Sequence, residues 1–137
     1  MKNIEKSLFG CYNYICLEVI YLAKQFWKGS ALLAPVPATL VTCGTMENPN
    51  VLTVGWTGIC CTRPPMTYIS VRPERFSHDI IKESGEFVIN LTTKDLTYAT
   101  DWCGVKTGAQ VDKFKEMHLT KEKAKFVKCP MIKESPV

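Results

Sequence analysis

The 137-residue sequence lacks the marks of several large protein classes. It has no glycine-rich G-x-G-x-x-G run, so the usual dinucleotide-binding fingerprint is absent. Its only two histidines are His78 and His118, and no cysteine or histidine pair stands at zinc-ligand spacing, which argues against a metal centre. One-sided charge is missing as well. Lys and Arg total 17 against 13 Asp and Glu, and beyond Gly85 the two signs are interspersed, so no dedicated nucleic-acid surface is expected. No apolar run reaches the roughly 20 residues needed to span a bilayer. Leu8 to Ala23, preceded by Lys2 and Lys6, comes nearest, but Asn13 and Glu18 interrupt it and no small-residue cleavage pattern follows.

What the chain does have is a 46% hydrophobic composition, enough for one core. The seven cysteines are odd in number and come without a clear secretion signal, so a reducing cytoplasm suits them better than a disulfide framework. Cys43, Cys60 and Cys61 are read as buried thiols. Ile4, Leu8, Ile15, Val19, Leu22 and Phe26 recur at nearly helical spacing, which predicts an amphipathic helix over residues 1–25, lying on the domain or on a partner chain.

From Pro37 onward the pattern becomes mainly β with short helices. Ala38 to Cys43 and Val51 to Thr57 read as a hairpin around the turn residues Asn48, Pro49 and Asn50. Gly55 and Gly58 interrupt the return strand, where a missing side chain admits a bulge or a ligand. Arg63, Pro64 and Pro65 form a rigid connection, because each proline fixes its own φ and restricts its predecessor. Met66 to Arg72 follows as a third strand. Ser77 is the expected N-cap of a short helix closed by Gly85. Glu86 to Leu91 alternates like a strand, and a second helix is predicted from Lys94 to Cys103, capped by Thr93 and ended by Gly104. Val105 to Lys128 is charged and loop-like, with at most short helical turns. Four strands at most are too few to close a barrel.

Two stretches carry chemistry. In Ser70 to Asp79 a strand ends, a proline turns the chain and Arg72 and Arg75 precede a helix start, where free N–H groups, the helix dipole and guanidinium groups could converge on a phosphate. The plain alternative is an arginine solvated at the surface. In Val51 to Gly58, bare backbone at Gly55 and Gly58 adjoins Trp56 and Thr57, giving the aromatic wall and the main-chain and hydroxyl donors that an isoalloxazine ring requires. Here the alternative is that Trp56 belongs to the core. His78 could act as a general acid, although hydride transfer to a flavin needs none from the protein. No catalytic residue is therefore assigned.

The runs Asn50-Val51-Leu52-Thr53-Val54-Gly55-Trp56-Thr57-Gly58, Arg63-Pro64-Pro65-Met66 and Ile69-Ser70-Val71-Arg72-Pro73-Glu74-Arg75-Phe76-Ser77-His78 closely resemble the flavin reductase-like family, which includes flavoredoxins and NAD(P)H:FMN oxidoreductases. The likeness continues through Gly85 to Leu91, Asp101-Trp102-Cys103-Gly104 and Asp112-Lys113-Phe114, covering about residues 26–137. It departs at Thr107, where the family usually has Ser. The resemblance implies a Greek-key split β-barrel, a homodimer, and flavin mononucleotide (FMN) near the subunit interface. By matched position, Val54, Gly55, Trp56 and Thr57 line the ring, Val71 and Arg72 follow the ribityl chain, and Arg75, Ser77 and His78 hold the phosphate, with Lys113 on a loop brought towards the flavin.

The activity implied is an NAD(P)H-dependent flavin or ferric-chelate reductase, passing electrons through bound FMN to a small-molecule or protein acceptor. NADH or NADPH would stack on the exposed flavin face. The alternatives are a non-enzymatic electron carrier of flavoredoxin type and an inactive fragment. Family members continue for several strands beyond the position of Val137 and begin near Phe26, so the barrel is expected to be truncated at its C-terminal side.

Overall fold

Thr39 to Gly44, with the β-branched residues Thr39, Val41 and Thr42, form strand β1 at the centre of a three-stranded sheet. Gly44 adopts a left-handed φ of 86°, which lets the chain reverse, and a Cβ there would strike the Asn48 carbonyl. The chain returns as β2 (Pro49–Val54), antiparallel to β1 with Thr42 opposite Val51 and Leu40 opposite Thr53. On its other side β1 pairs with β5 (Val88–Leu91), giving a three-stranded sheet of order β2-β1-β5. The computed structural model describes Lys28, Gly29, Leu33 and residues 35–137. The helix expected over residues 1–25 lies outside the described residues.

The sheet buries both faces, so β1 reads as a near-continuous buried run rather than an alternating one. On one face Leu40 and Val51 pack with Leu96, Ala99, Cys103, Phe114, Leu119 and Ile132. On the other, Val41, Leu52 and Val54 pack with Ile69, Val71, Phe87 and Ile89. Each large aliphatic side chain removed from water in this way contributes about 1.5–3 kcal/mol. Polar groups inside the core are partnered. Asn90 donates to the Leu40 carbonyl at 3.0 Å and accepts from the Ile132 amide at 2.9 Å.

The expected strand from Val51 to Thr57 is in fact two. It breaks at Gly55 and Trp56, and Thr57–Thr62 (β3) leaves the sheet to form a separate ribbon with Pro65–Ile69 (β4). Arg63 and Pro64 are thus the tip of a tight hairpin, and Arg72 lies beyond the strand in which it was placed. The ribbon stands out into solvent, with Ile59, Met66 and Tyr68 exposed. Cys60, read as a buried thiol, is exposed there and Cys61 is only half-buried, whereas Cys43 is buried.

Helix α1 (Phe76–Ser84) ends as predicted at Gly85, whose left-handed backbone directs its N–H to the Ile81 carbonyl at 2.8 Å. Its N-cap, however, is Arg75 and not Ser77. Ser77 lies inside the first turn, buried against β2. The second helix, α2 (Thr97–Val105), starts later than the expected Lys94, after a turn in which the Leu96 amide bonds to the Thr93 carbonyl. Gly104 lies within it rather than closing it, because the helix packs on Thr53 and a Cβ at Gly104 would sit 3.3 Å from the Thr53 Cβ. The remaining elements are a single-turn helix α3 (Lys113–Glu116) and the two-residue strands β6 (Lys121–Glu122) and β7 (Met131–Ile132).

Candidate functional site

The break between β2 and β3 opens a cavity of about 350 Å3, lined by Leu52 to Trp56, Ser70, Val71, Arg72 and Arg75. The two walls are held in register by the Ser70 amide, which donates to the Trp56 carbonyl at 2.8 Å. Gly55 bares the backbone, and Trp56 is 52% exposed. The tryptophan is therefore not a core residue, and its indole is available to a planar ligand. The Thr57 hydroxyl is turned away and donates to the Tyr68 carbonyl at 2.7 Å.

A second, smaller cavity of about 100 Å3 lies between the start of α1 and the loop after α2, lined by Asn50, Glu74 to Ser77, Val105 to Gly108 and Lys113. Arg75 lines both cavities. Its guanidinium donates to the Gly104 carbonyl at 3.3 Å, from an exposed position. No side chain caps α1, and apart from the His78 amide, which donates to the Arg75 carbonyl at 2.8 Å, its first-turn N–H groups are suited to an anion. The Ser77 hydroxyl accepts from the Asn50 side-chain amide at 2.6 Å, which fixes its position.

Lys113 is the second cation. It is buried, and its Nζ donates to the Cys103 carbonyl at 2.8 Å. Burial pulls its pKa down; the Cys103 thiol opposes that shift and Arg75 adds to it. Asp112 positions it by capping α3, accepting from the Lys115 amide at 3.2 Å. An anion at this place would relieve the desolvation that the ammonium now bears.

Of the sequence-assigned residues, Val54, Gly55, Trp56, Val71, Arg72 and Arg75 come together around the larger cavity, and Arg75, Ser77 and Lys113 around the smaller. Thr57 and His78 line neither; the His78 ring contacts the Asp79 carboxylate at 2.9 Å. Sequence reasoning missed Asn50, whose partner Ser77 is 27 positions away, and gave no part to Ser70 or Lys106. Among the described residues, no His, Cys, Asp and Glu side chains gather in threes to hold a metal ion.

Comparison with known proteins is consistent with this geometry. The flavin reductase like domain matches residues 32–137. An uncharacterized protein of Archaeoglobus fulgidus is 34% identical over 102 residues, covering 74% of this chain and 57% of its own length. The flavoredoxin of Desulfovibrio vulgaris (Miyazaki F) superposes with a TM-score of 0.76 at 29% identity, over 82% of this chain and 62% of that one. An FMN-binding protein from Thermus thermophilus shares the fold, with a TM-score of 0.70 at 20% identity, over 84% of this chain and 62% of that one. The chain thus spans about six-tenths of the length of such relatives. Its mainly β architecture with short helices is that of the split-barrel flavin reductase-like fold, and the chain belongs to the flavin reductase-like domain family.

Proposed function

We propose that the chain binds FMN across the two cavities that share Arg75 and serves as an NAD(P)H-dependent reductase of free flavin or a ferric chelate. The observation that carries the reading is Arg75, a lining residue of both an aromatic-walled cavity with bare backbone and a smaller one lined by Ser77 and Lys113. Val54, Gly55 and Trp56 place the ring, with main-chain groups for its polar edge. Val71 and Arg72 accompany the ribityl chain. Arg75, Ser77, Lys113 and the α1 amides hold the phosphate by charge-assisted hydrogen bonds. Bound FMN would supply the ring that accepts a hydride from reduced nicotinamide and passes electrons on. The chain's own contribution is binding and orientation, and no side chain is assigned a proton-transfer role.

A flavoredoxin-type electron carrier is the second reading, favoured by the likeness to the Desulfovibrio flavoredoxin. Steady-state oxidation of NADH and NADPH with added FMN separates the two. Turnover supports the reductase; negligible turnover by protein that carries stoichiometric yellow FMN supports the carrier and refutes the reductase. Assembly as a homodimer belongs to the same proposal, supported by exposed apolar side chains such as Ile59 and read by light scattering. A reducing, cytoplasmic setting is proposed on the free thiols of all five described cysteines. No helix among the described residues is long and apolar enough to cross a membrane.

A further inference from the structure

The β3–β4 ribbon carries a feature that the flavin reading does not use. Its register shifts between Ile59 and Cys61. Ile59 stands opposite Thr67 and Cys61 opposite Met66, leaving Cys60 as an extra residue with no partner. Side chains alternate along a regular strand, and residues paired across two strands share a face. Thr67 and Met66 therefore point to opposite faces, and Ile59 and Cys61 do the same. Cys60, which follows Ile59 in regular alternation, falls on the face away from Ile59, and so does Cys61. Without the bulge the two adjacent cysteines would point to opposite sides.

The consequence is three sulfur atoms, from Cys60, Cys61 and Met66, on one face of an exposed hairpin. Gly58 and its partner Tyr68 belong to the same face, and the Tyr68 ring lies so close that a Cβ on Gly58 would meet it at 2.9 Å. Cys60 is exposed, Cys61 half-buried and Met66 52% exposed, and both thiols are free. The Cys61 thiol donates to the Arg63 carbonyl at 3.2 Å, which holds the sulfur at the hairpin end. No third His, Cys, Asp or Glu joins the pair among the described residues, so these residues alone do not make a tetrahedral zinc site or an oxygen-rich site for a hard ion. Two thiolates and a thioether are instead the donors that suit a soft monovalent ion.

We propose that the β3 bulge makes Cys60, Cys61 and Met66 a binding site for a soft monovalent metal ion of the copper(I) and silver(I) class. On binding, two metal–thiolate bonds and one metal–thioether bond form, the two thiol protons pass to solvent, and no oxidation state changes. The test is titration of the reduced full chain with silver(I) alone, followed by calorimetry, for the parent and for the variants Cys60→Ser/Cys61→Ser and Met66→Leu.

The parent is expected to take up one silver equivalent that the double variant loses. Met66→Leu should weaken that equivalent by about tenfold or more, the scale on which loss of one supporting contact acts at a metal site. Because Cys60 and Met66 are exposed and Cys61 is only half-buried, circular dichroism should show each variant folded. As a readout on the parent itself, one equivalent of silver should protect Cys60 and Cys61 from alkylation, mapped by peptide mass spectrometry. Unchanged silver binding by the double variant, unchanged affinity in Met66→Leu, or unprotected Cys60 and Cys61 at one equivalent would each overturn the proposal.

Discussion

Gly108→Ala is the sharpest probe of how the smaller cavity is built. A Cβ at Gly108 would overlap the Asn50 Oδ1 and lie 2.7 Å from the Asn50 Cγ and 2.9 Å from the Phe76 Cδ1. The Phe76 ring is 45% exposed and has room to swing outward. Asn50 has none. It is 5% exposed, its backbone is paired with Cys43 across the sheet, and its amide donates to Ser77 at 2.6 Å. If Asn50 holds its place, overpacking costs about 1–3 kcal/mol. If it turns away, a buried amide and hydroxyl lose their partner, at a similar cost of about 1–3 kcal/mol. The relaxed variant combines part of each, so a loss of about 2–3 kcal/mol is expected, equivalent to about 8–24 °C in Tm for a unit of roughly 100 residues. Thermal unfolding followed by circular dichroism measures it, with Gly55→Ala as control, where the nearest atom to the new Cβ is Val36 Cγ2 at 3.7 Å. A change below about 0.5 kcal/mol in Gly108→Ala, the range of an ordinary surface substitution, would refute the packing argument.

Three further outcomes are expected. Lys113→Met should weaken FMN binding by about 10- to 100-fold, the equivalent of one charge-assisted hydrogen bond, while leaving the affinity for riboflavin, which has no phosphate, unchanged; parallel fluorescence titrations decide it, and equal losses for both ligands would remove Lys113 from the phosphate site. Gly55→Val should fill the larger cavity and abolish FMN binding with little effect on the Tm of the cofactor-free chain, read by the same titration and by circular dichroism. Burial raises the Cys43 thiol from its ordinary 9.0 to about 11, so folding keeps a proton that the unfolded chain releases, and its stabilising contribution is complete below pH 9 and disappears as pH rises towards 11. That contribution is about 2–3 kcal/mol. Lys113 acts in the opposite direction, since folding disfavours its charged form. The test therefore compares urea unfolding of the parent and Cys43→Ala between pH 8 and pH 11, and a parent no steeper in its alkaline loss than the variant would contradict the assignment.

The parts of the fold legible in the sequence were those whose signals are local. The turn residues Asn48 to Asn50 and the left-handed glycines Gly44 and Gly85 marked the β1–β2 hairpin and the end of α1 within a few residues. Strand β3 was missed because it belongs to an exposed ribbon. Among the described residues no element buries one of its faces, so Ile59, Cys60 and Cys61 carry no alternation, and the bulge removes what remained. Ser77 was misplaced for a related reason. A serine near a helix start reads as a cap, but here its partner is Asn50 on β2, a tertiary contact that overrides the local preference. The candidate site followed the same rule. The cavity residues from Val54 to Arg75 form one stretch of chain and were read together, whereas Asn50 and Lys106 reach the smaller cavity only through the packing of α1 and α2 on β2.

The most direct test is titration of FMN with the purified full chain, followed by flavin fluorescence and the visible absorption bands. The account predicts quenched, band-shifted flavin saturating at one FMN per chain, with riboflavin bound more weakly because Arg75, Ser77 and Lys113 have no phosphate to hold. A flavin spectrum unchanged by excess protein would contradict it.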